Sequence, residues 1–209
     1  MKIIVISKAE EFEGENDLVS QMFEAGMELF HIRKPKLSTR SMKKYLESLP
    51  SKYHPRIVLH SHHELAGQFK VRGIHLTESH KSKAYFSTWL NMQYIKWKRG
   101  KIEITTSFHQ INSLKEFDPE FEYVFMSPIF DSISKVGYRN RFNEETLIQV
   151  LKESKYKVIA MGGVEIDKLE KVHEMGFDGA AFLGGVWQKA DPVEAFKAVI
   201  AKCQELNLA

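Results

Sequence analysis

The sequence contains one cysteine, Cys203, in 209 residues. That excludes an internal disulfide and fits a reducing compartment, so the expected location is the cytoplasm. Long apolar runs are also missing. The opening MKIIVIS meets charge at Lys8, too soon for a signal sequence and far too soon to cross a bilayer, so it is read as the first strand of a soluble protein. Charge of one sign is scarce: 30 basic against 27 acidic residues leave a formal +3. Without a lysine and arginine stripe interleaved with aromatics, a nucleic-acid surface is not expected, while small anionic ligands remain compatible. Low-complexity segments and linkers are absent too, so residues 1–209 are expected to form one domain. About two-fifths of the chain is hydrophobic, enough for one sizeable core.

What is present is a strand-like run followed by a helix-like run, repeated about eight times. Strands are expected near Lys2–Ser7, Glu28–Arg33, Arg56–His60, Gly73–Leu76, Lys101–Ser107, Tyr123–Met126, Lys157–Met161 and Gly179–Leu183. They are short and apolar on both faces, as strands of a covered parallel sheet are. Amphipathic segments lie between them. Leu18, Met22 and Phe23 share one helical face, Ile166, Leu169 and Val172 another, and Val193, Phe196, Val199, Ile200 and Cys203 a third. Ser38, Asn143 and the pair Asp191-Pro192 signal helix starts, with Glu194 placed for a capping box. This alternation predicts an α/β fold, a single (β/α)8 TIM barrel. The helix signal is weak from Ser79 to Gly100, and losing that unit would leave an open doubly wound sheet.

In such a barrel the site lies at the carboxyl ends of the strands. The longest polar stretch there follows the sixth strand, YVFMSPIFDSISKVGYRNR from Tyr123 to Arg141. Its Ser132, Ser134 and Lys135, with Gly137, Arg139 and Arg141, suit a polyanion such as pyrophosphate, and a solvated connector carries similar residues. Two glycine pairs, Gly162-Gly163 and Gly184-Gly185, follow the seventh and eighth strands, where barrels commonly bind phosphate on backbone amides. Phe125 and Trp187 are expected in the core. Phe130 and Tyr138 flank the loop, in place to close over a flat heterocycle.

Five motifs in order, HIRKP, ITTSFH, SPIFDSISKVG, VIAMGGV and DGAAFLGGVW, make the chain resemble the thiamine phosphate synthase and TenI family over nearly its whole length. The resemblance implies a (β/α)8 barrel. It also implies transferase activity in thiamine biosynthesis, in which hydroxymethylpyrimidine diphosphate is coupled to thiazole phosphate to give thiamine monophosphate and pyrophosphate. TenI-type members aromatise the thiazole phosphate instead, and a non-catalytic thiazole- or thiamine phosphate-binding barrel is a third reading. The implied partners are these phosphorylated heterocycles, with neither nucleic acid nor membrane, and a homodimer is compatible.

By the same resemblance Arg33, Ser132, Ser134 and Lys135 hold pyrophosphate, Ser107 contacts it, and Gly163, Gly184 and Gly185 cradle the thiazole phosphate. His109 stands where the tautomerase branch moves a proton, and a helix-start histidine bonded to backbone is its structural alternative. His60 lies near a TenI histidine and is placed with the substrate-binding residues. The family's magnesium ligands are carboxylates, but Ser61 and His80 stand at two of those places, leaving Glu64 and Glu78 as candidates. Mg2+ is therefore implied by the resemblance and opposed by the substitutions. The lysine expected two residues after Arg33 is Pro35. His60, His62, His75 and His80 also allow a transition-metal cluster, against a plain mixture of core and cleft histidines.

Overall fold

The computed structural model describes residues 1–77, 85–131 and 142–208. Its eight parallel strands follow chain order in a closed barrel: β1 (Lys2–Ile6), β2 (Phe30–Ile32), β3 (Ile57–Leu59), β4 (Gly73–Leu76), β5 (Glu103–Phe108), β6 (Phe121–Met126), β7 (Val158–Met161) and β8 (Gly179–Phe182). All eight lie where the apolar runs place them, and ends shift by a residue or two. Among the described residues the helices are α1 (Glu15–Glu24), α2 (Thr39–Ser48), α3 (Tyr85–Arg99), α4 (Glu144–Glu153), α5 (Leu169–Glu174), α6 (Gly184–Trp187) and α7 (Pro192–Glu205), with 3-10 turns between some of them. α3 fills the stretch whose helix signal is weak, so the closed alternative holds over the open sheet.

The residues cluster as two compact units, Ile6–Thr106 and Met1–Val5 with Ser107–Ala209. In the first, β2 pairs with β3 in the register His31↔Val58, and β4 with β5 in the register His75↔Thr105. α1 buries Glu15, Val19, Met22 and Phe23, while Leu18, expected on that face, is only half-buried. Phe23 stacks on Tyr53 at 4.5 Å between ring centroids and meets Phe30 edge-on at 6.2 Å. Each such contact contributes about 0.5–1.5 kcal/mol beyond area burial and ties α1 to β2 and the turn before β3.

In the second unit β1 pairs with β8, and β7 with both β6 and β8. Phe125 and Trp187 are buried there as expected. Ser38, Asn143 and Asp191 each accept a first-turn amide hydrogen bond, so all three helix starts are confirmed. The capping box at α7 is half-made. Asp191 accepts from the Val193 and Glu194 amides, but the Glu194 carboxylate takes Lys197 at 2.7 Å instead of turning back to the cap. α7 buries Val193, Phe196, Val199 and Cys203, and burial pushes the Cys203 thiol up from its ordinary pKa. Among the described residues no helix is long and apolar enough to cross a membrane.

Candidate functional site

Side chains alternate along extended backbone, so in the run after Phe30 His31 and Arg33 take one side and Ile32 and Lys34 the other. Lys34 is fully buried, with its ammonium 2.7 and 2.6 Å from the two carboxylate oxygens of Glu15 on α1 and 2.9 Å from the Glu10 carbonyl. It is therefore committed to α1 and cannot replace the lysine missing at Pro35. Lys36 lies on the surface beside Glu10. The Arg33 amide donates to the Ser7 hydroxyl at 2.8 Å, and Ser7 is itself fully buried, which fixes the backbone from which the guanidinium projects. Among the described residues that guanidinium has no ion-pair partner.

On the same side as Arg33, three histidines from adjacent elements meet. His31 Nδ1 lies 2.8 Å from His60 Nε2, and the His60 and His75 rings stack at 4.1 Å. All three are buried. Burial, then the neighbouring His75, His31 and Arg33, hold the His60 pKa well below the ordinary histidine value, so His60 is a neutral imidazole at neutral pH. The expected cluster thus has different members. The strand ends at Leu59, and His62 adopts a left-handed backbone with φ 54°. Its Nε2 donates to the Leu37 carbonyl at 2.8 Å, away from His60. His31 takes its place, while His80 lies outside the described residues.

In the unit containing Ser107, the last two residues of β5, Ser107 and Phe108, are half-buried, and His109 just beyond the strand is exposed. His109 Nδ1 lies 2.9 Å from the Ser127 carbonyl. A carbonyl only accepts, so Nδ1 carries the proton and, in the neutral ring, Nε2 presents a lone pair. The backbone-bonded alternative for His109 is therefore what the geometry contains, and it orients the ring for proton transfer at its other nitrogen.

The loop after β6 begins with a cis Ser127-Pro128 bond and then runs beside β7, with the Ile129 and Phe130 amides donating to the Met161 and Gly162 carbonyls. This packing gives the first glycine pair its physical cause. Gly163 has φ +66°, and a Cβ there would meet the Asp131 and Phe130 carbonyl oxygens at 2.4 and 2.7 Å. The Gly163 carbonyl accepts from Lys168, whose ammonium also lies 5.2 Å over the Phe130 ring. Lys168 was not singled out in the sequence, where it reads as an ordinary helix-surface lysine. Gly184 and Gly185 open α6, so their amides precede any intrahelical acceptor. Ser132, Ser134, Lys135, Tyr138 and Glu78 lie outside the described residues.

Magnesium takes several oxygen ligands, usually carboxylates and water. At residues 60–64 the described donors are the clustered His60, the Ser61 hydroxyl, which is buried with no hydrogen-bond partner among the described residues, and Glu64, which already accepts from Thr39 at 3.1 Å. This set does not fit magnesium, and no chemical step is assigned to the ion.

Comparison with known proteins bears on the family and the fold. A family model described as Thiamine monophosphate synthase matches residues 3–186. The chain is similar to the thiamine-phosphate synthase of Latilactobacillus sakei, 24% identical over 196 residues, covering 86% of this chain and 81% of that one. It is similar to that of Halalkalibacterium halodurans, 25% identical over 174 residues, covering 80% and 79%. Among solved structures, a thiamine phosphate pyrophosphorylase from Bacteroides thetaiotaomicron superposes with a TM-score of 0.79 at 29% identity, over 98% of both chains.

Proposed function

This chain belongs to the thiamine monophosphate synthase family, and from that membership we propose that it joins hydroxymethylpyrimidine diphosphate to a thiazole phosphate. The enzyme is a thiamine phosphate synthase-like transferase. The observation that carries this reading is the family match over residues 3–186, which takes in seven strands of the barrel whole and all of β1 but Lys2. In the reaction the bond from the pyrimidine methylene carbon to the diphosphate oxygen breaks, and its electron pair leaves with pyrophosphate. The thiazole nitrogen lone pair then forms the new bond to that carbon.

Such chemistry asks the protein mainly to stabilise the departing negative charge. Arg33 is the described residue best suited, being cationic, anchored through Ser7 and without an ion-pair partner among the described residues. Lys135, Ser132 and Ser134 are assigned by resemblance to the same pyrophosphate, and Ser107 with them. Gly184 and Gly185 offer the amides of a helix start to the thiazole phosphate, and Gly163 stands at the neighbouring corner.

Incubating tag-free protein with both substrates tests this directly. Thiamine monophosphate and pyrophosphate are expected in equal amounts. The assay is run across a magnesium series, because the described donors hold the ion poorly. No product at high enzyme concentration across the whole magnesium series would overturn the reading.

The orientation of His109 favours one alternative, TenI-type aromatisation of the thiazole phosphate with Nε2 as the base. On that reading product forms in the presence of a chelator, and His109→Ala lowers the rate at least about 100-fold, the lower range for general acid-base catalysis. Unchanged turnover in His109→Ala would remove it.

A further inference from the structure

We propose that His31, His60 and His75 form a three-histidine site for a divalent transition ion of the zinc and cobalt class. Each ring offers one nitrogen, and the three nitrogens lie within 4.8 Å of one another. β2, the turn after β3, and β4 each supply one ring, so rigid backbone sets the spacing from three sides.

The chemistry selects the ion. Imidazole is a ligand of intermediate softness that suits zinc, cobalt, nickel and copper, and it is a poor ligand for magnesium. Two imidazole nitrogens on one tetrahedral zinc, with bonds of about 2.0–2.1 Å, stand about 3.3 Å apart. His31 Nδ1 and His60 Nε2 are at 2.8 Å, so an ion entering between them needs them to part by about half an ångström, and the stacked His60 and His75 rings to turn their nitrogens toward it. At present one ring proton occupies that gap; on binding it shifts to the other nitrogen of its own ring or passes to water, and the ion takes its place.

The supporting residues fit as well. Metal-bound histidines are usually oriented by a hydrogen bond at the other ring nitrogen. His75 Nδ1 lies 2.9 Å from the Thr105 hydroxyl, whose own hydrogen points to the Ile74 carbonyl at 3.5 Å. The hydroxyl therefore accepts from Nδ1, and the lone pair of His75 sits on Nε2. His60 is the most accessible of the three at 8% exposure, against 0% for His31 and 2% for His75, and marks the side of entry.

The test is a titration of chelator-stripped, tag-free full chain with cobalt(II) alone, read by its visible absorption. Saturation at one equivalent is expected, with the intensity of a four- or five-coordinate ion. His31→Gln and His60→Gln should each weaken binding at least about 100-fold, more than the loss of an orienting partner, and Thr105→Val about 10- to 100-fold. His62→Gln, outside the cluster, should bind like the unaltered chain.

Absence of a saturable signal at one equivalent overturns the proposal, as does binding that persists in folded His31→Gln and His60→Gln. Titration of the unaltered chain alone can decide against it, so a variant that fails to fold does not leave the matter open. Because cobalt is the only probe, failure here leaves the synthase reading standing, and failure of that assay leaves the metal site standing.

Discussion

Lys34→Met is expected to destabilise the protein by about 3–5 kcal/mol, the usual cost of removing one partner from a buried ion pair. The Lys34 and Glu15 side chains are 0% and 3% exposed and lie 2.6 Å apart. Without the ammonium, the Glu15 carboxylate is left charged between α1 and α2, beside Tyr45. Urea unfolding at neutral pH measures the loss, and a drop below about 1 kcal/mol would contradict it. The double variant Lys34→Met with Glu15→Leu should recover most of the stability, because an apolar pair of similar volume carries no desolvation penalty.

The pH dependence has a definite sign. Burial holds the Glu15 pKa above its ordinary value of 4.5 despite the opposing pull of Lys34. A raised acid pKa means that the folded state favours the protonated form, so this group's contribution is complete below pH 4.5 and declines as pH rises through the folded value. Removing Lys34 removes the hydrogen bond and the charge that lower the pKa, and so widens that window upward. The penalty of Lys34→Met should therefore be smallest near pH 4, where Glu15 is protonated in both states, and full at neutral pH. A penalty that is flat with pH would mean that the carboxylate is rescued by water or by backbone movement.

Arg33→Gln is expected to lower kcat by about 10²- to 10³-fold, the range seen when one fixed donor to a developing charge is removed. The charge on pyrophosphate grows as its bond to carbon breaks. The loss should therefore fall mainly on kcat, with KM changing much less. Arg33→Lys should recover only part of the rate, since a single ammonium cannot make the paired, planar contact of a guanidinium with two phosphate oxygens. Steady-state kinetics on variants with unchanged melting profiles would check this. A fall of less than about threefold in Arg33→Gln would show that the anion is held elsewhere.

The barrel was legible because two-sided burial leaves a plain mark, apolar runs such as Ile57–Leu59 and Val158–Met161 at regular intervals. α3 was hard to read for the opposite reason: Trp97 is 76% exposed and Trp89 47%, so large apolar residues on its outer side blur the helical period. The capping box misled because Glu194 had a nearer cation in Lys197.

In the candidate site, residues were legible where the fold constrains type, and illegible where partners are distant. Gly163 was found as a glycine corner, but the cause visible in the structure, the carbonyls of Phe130 and Asp131 pressing on it, belongs to a different strand's loop. Lys34 looked available as a substitute cation because its partner Glu15 stands 19 residues earlier, in the polar stretch EFEGEND. His60 and His62 were paired on the assumption that the strand continues. The left-handed turn at His62 breaks that alternation and admits His31, which had been read only as part of HIRKP.

Cys203 on α7 has a use that no catalytic role requires. Alkylating reagents attack the thiolate, and here packing shields the sulfur while burial keeps its proton on. Since the chain has no other sulfhydryl, the pace of its modification in native buffer is a built-in clock for how often this helix swings clear of the strands beneath it, with no engineered label needed.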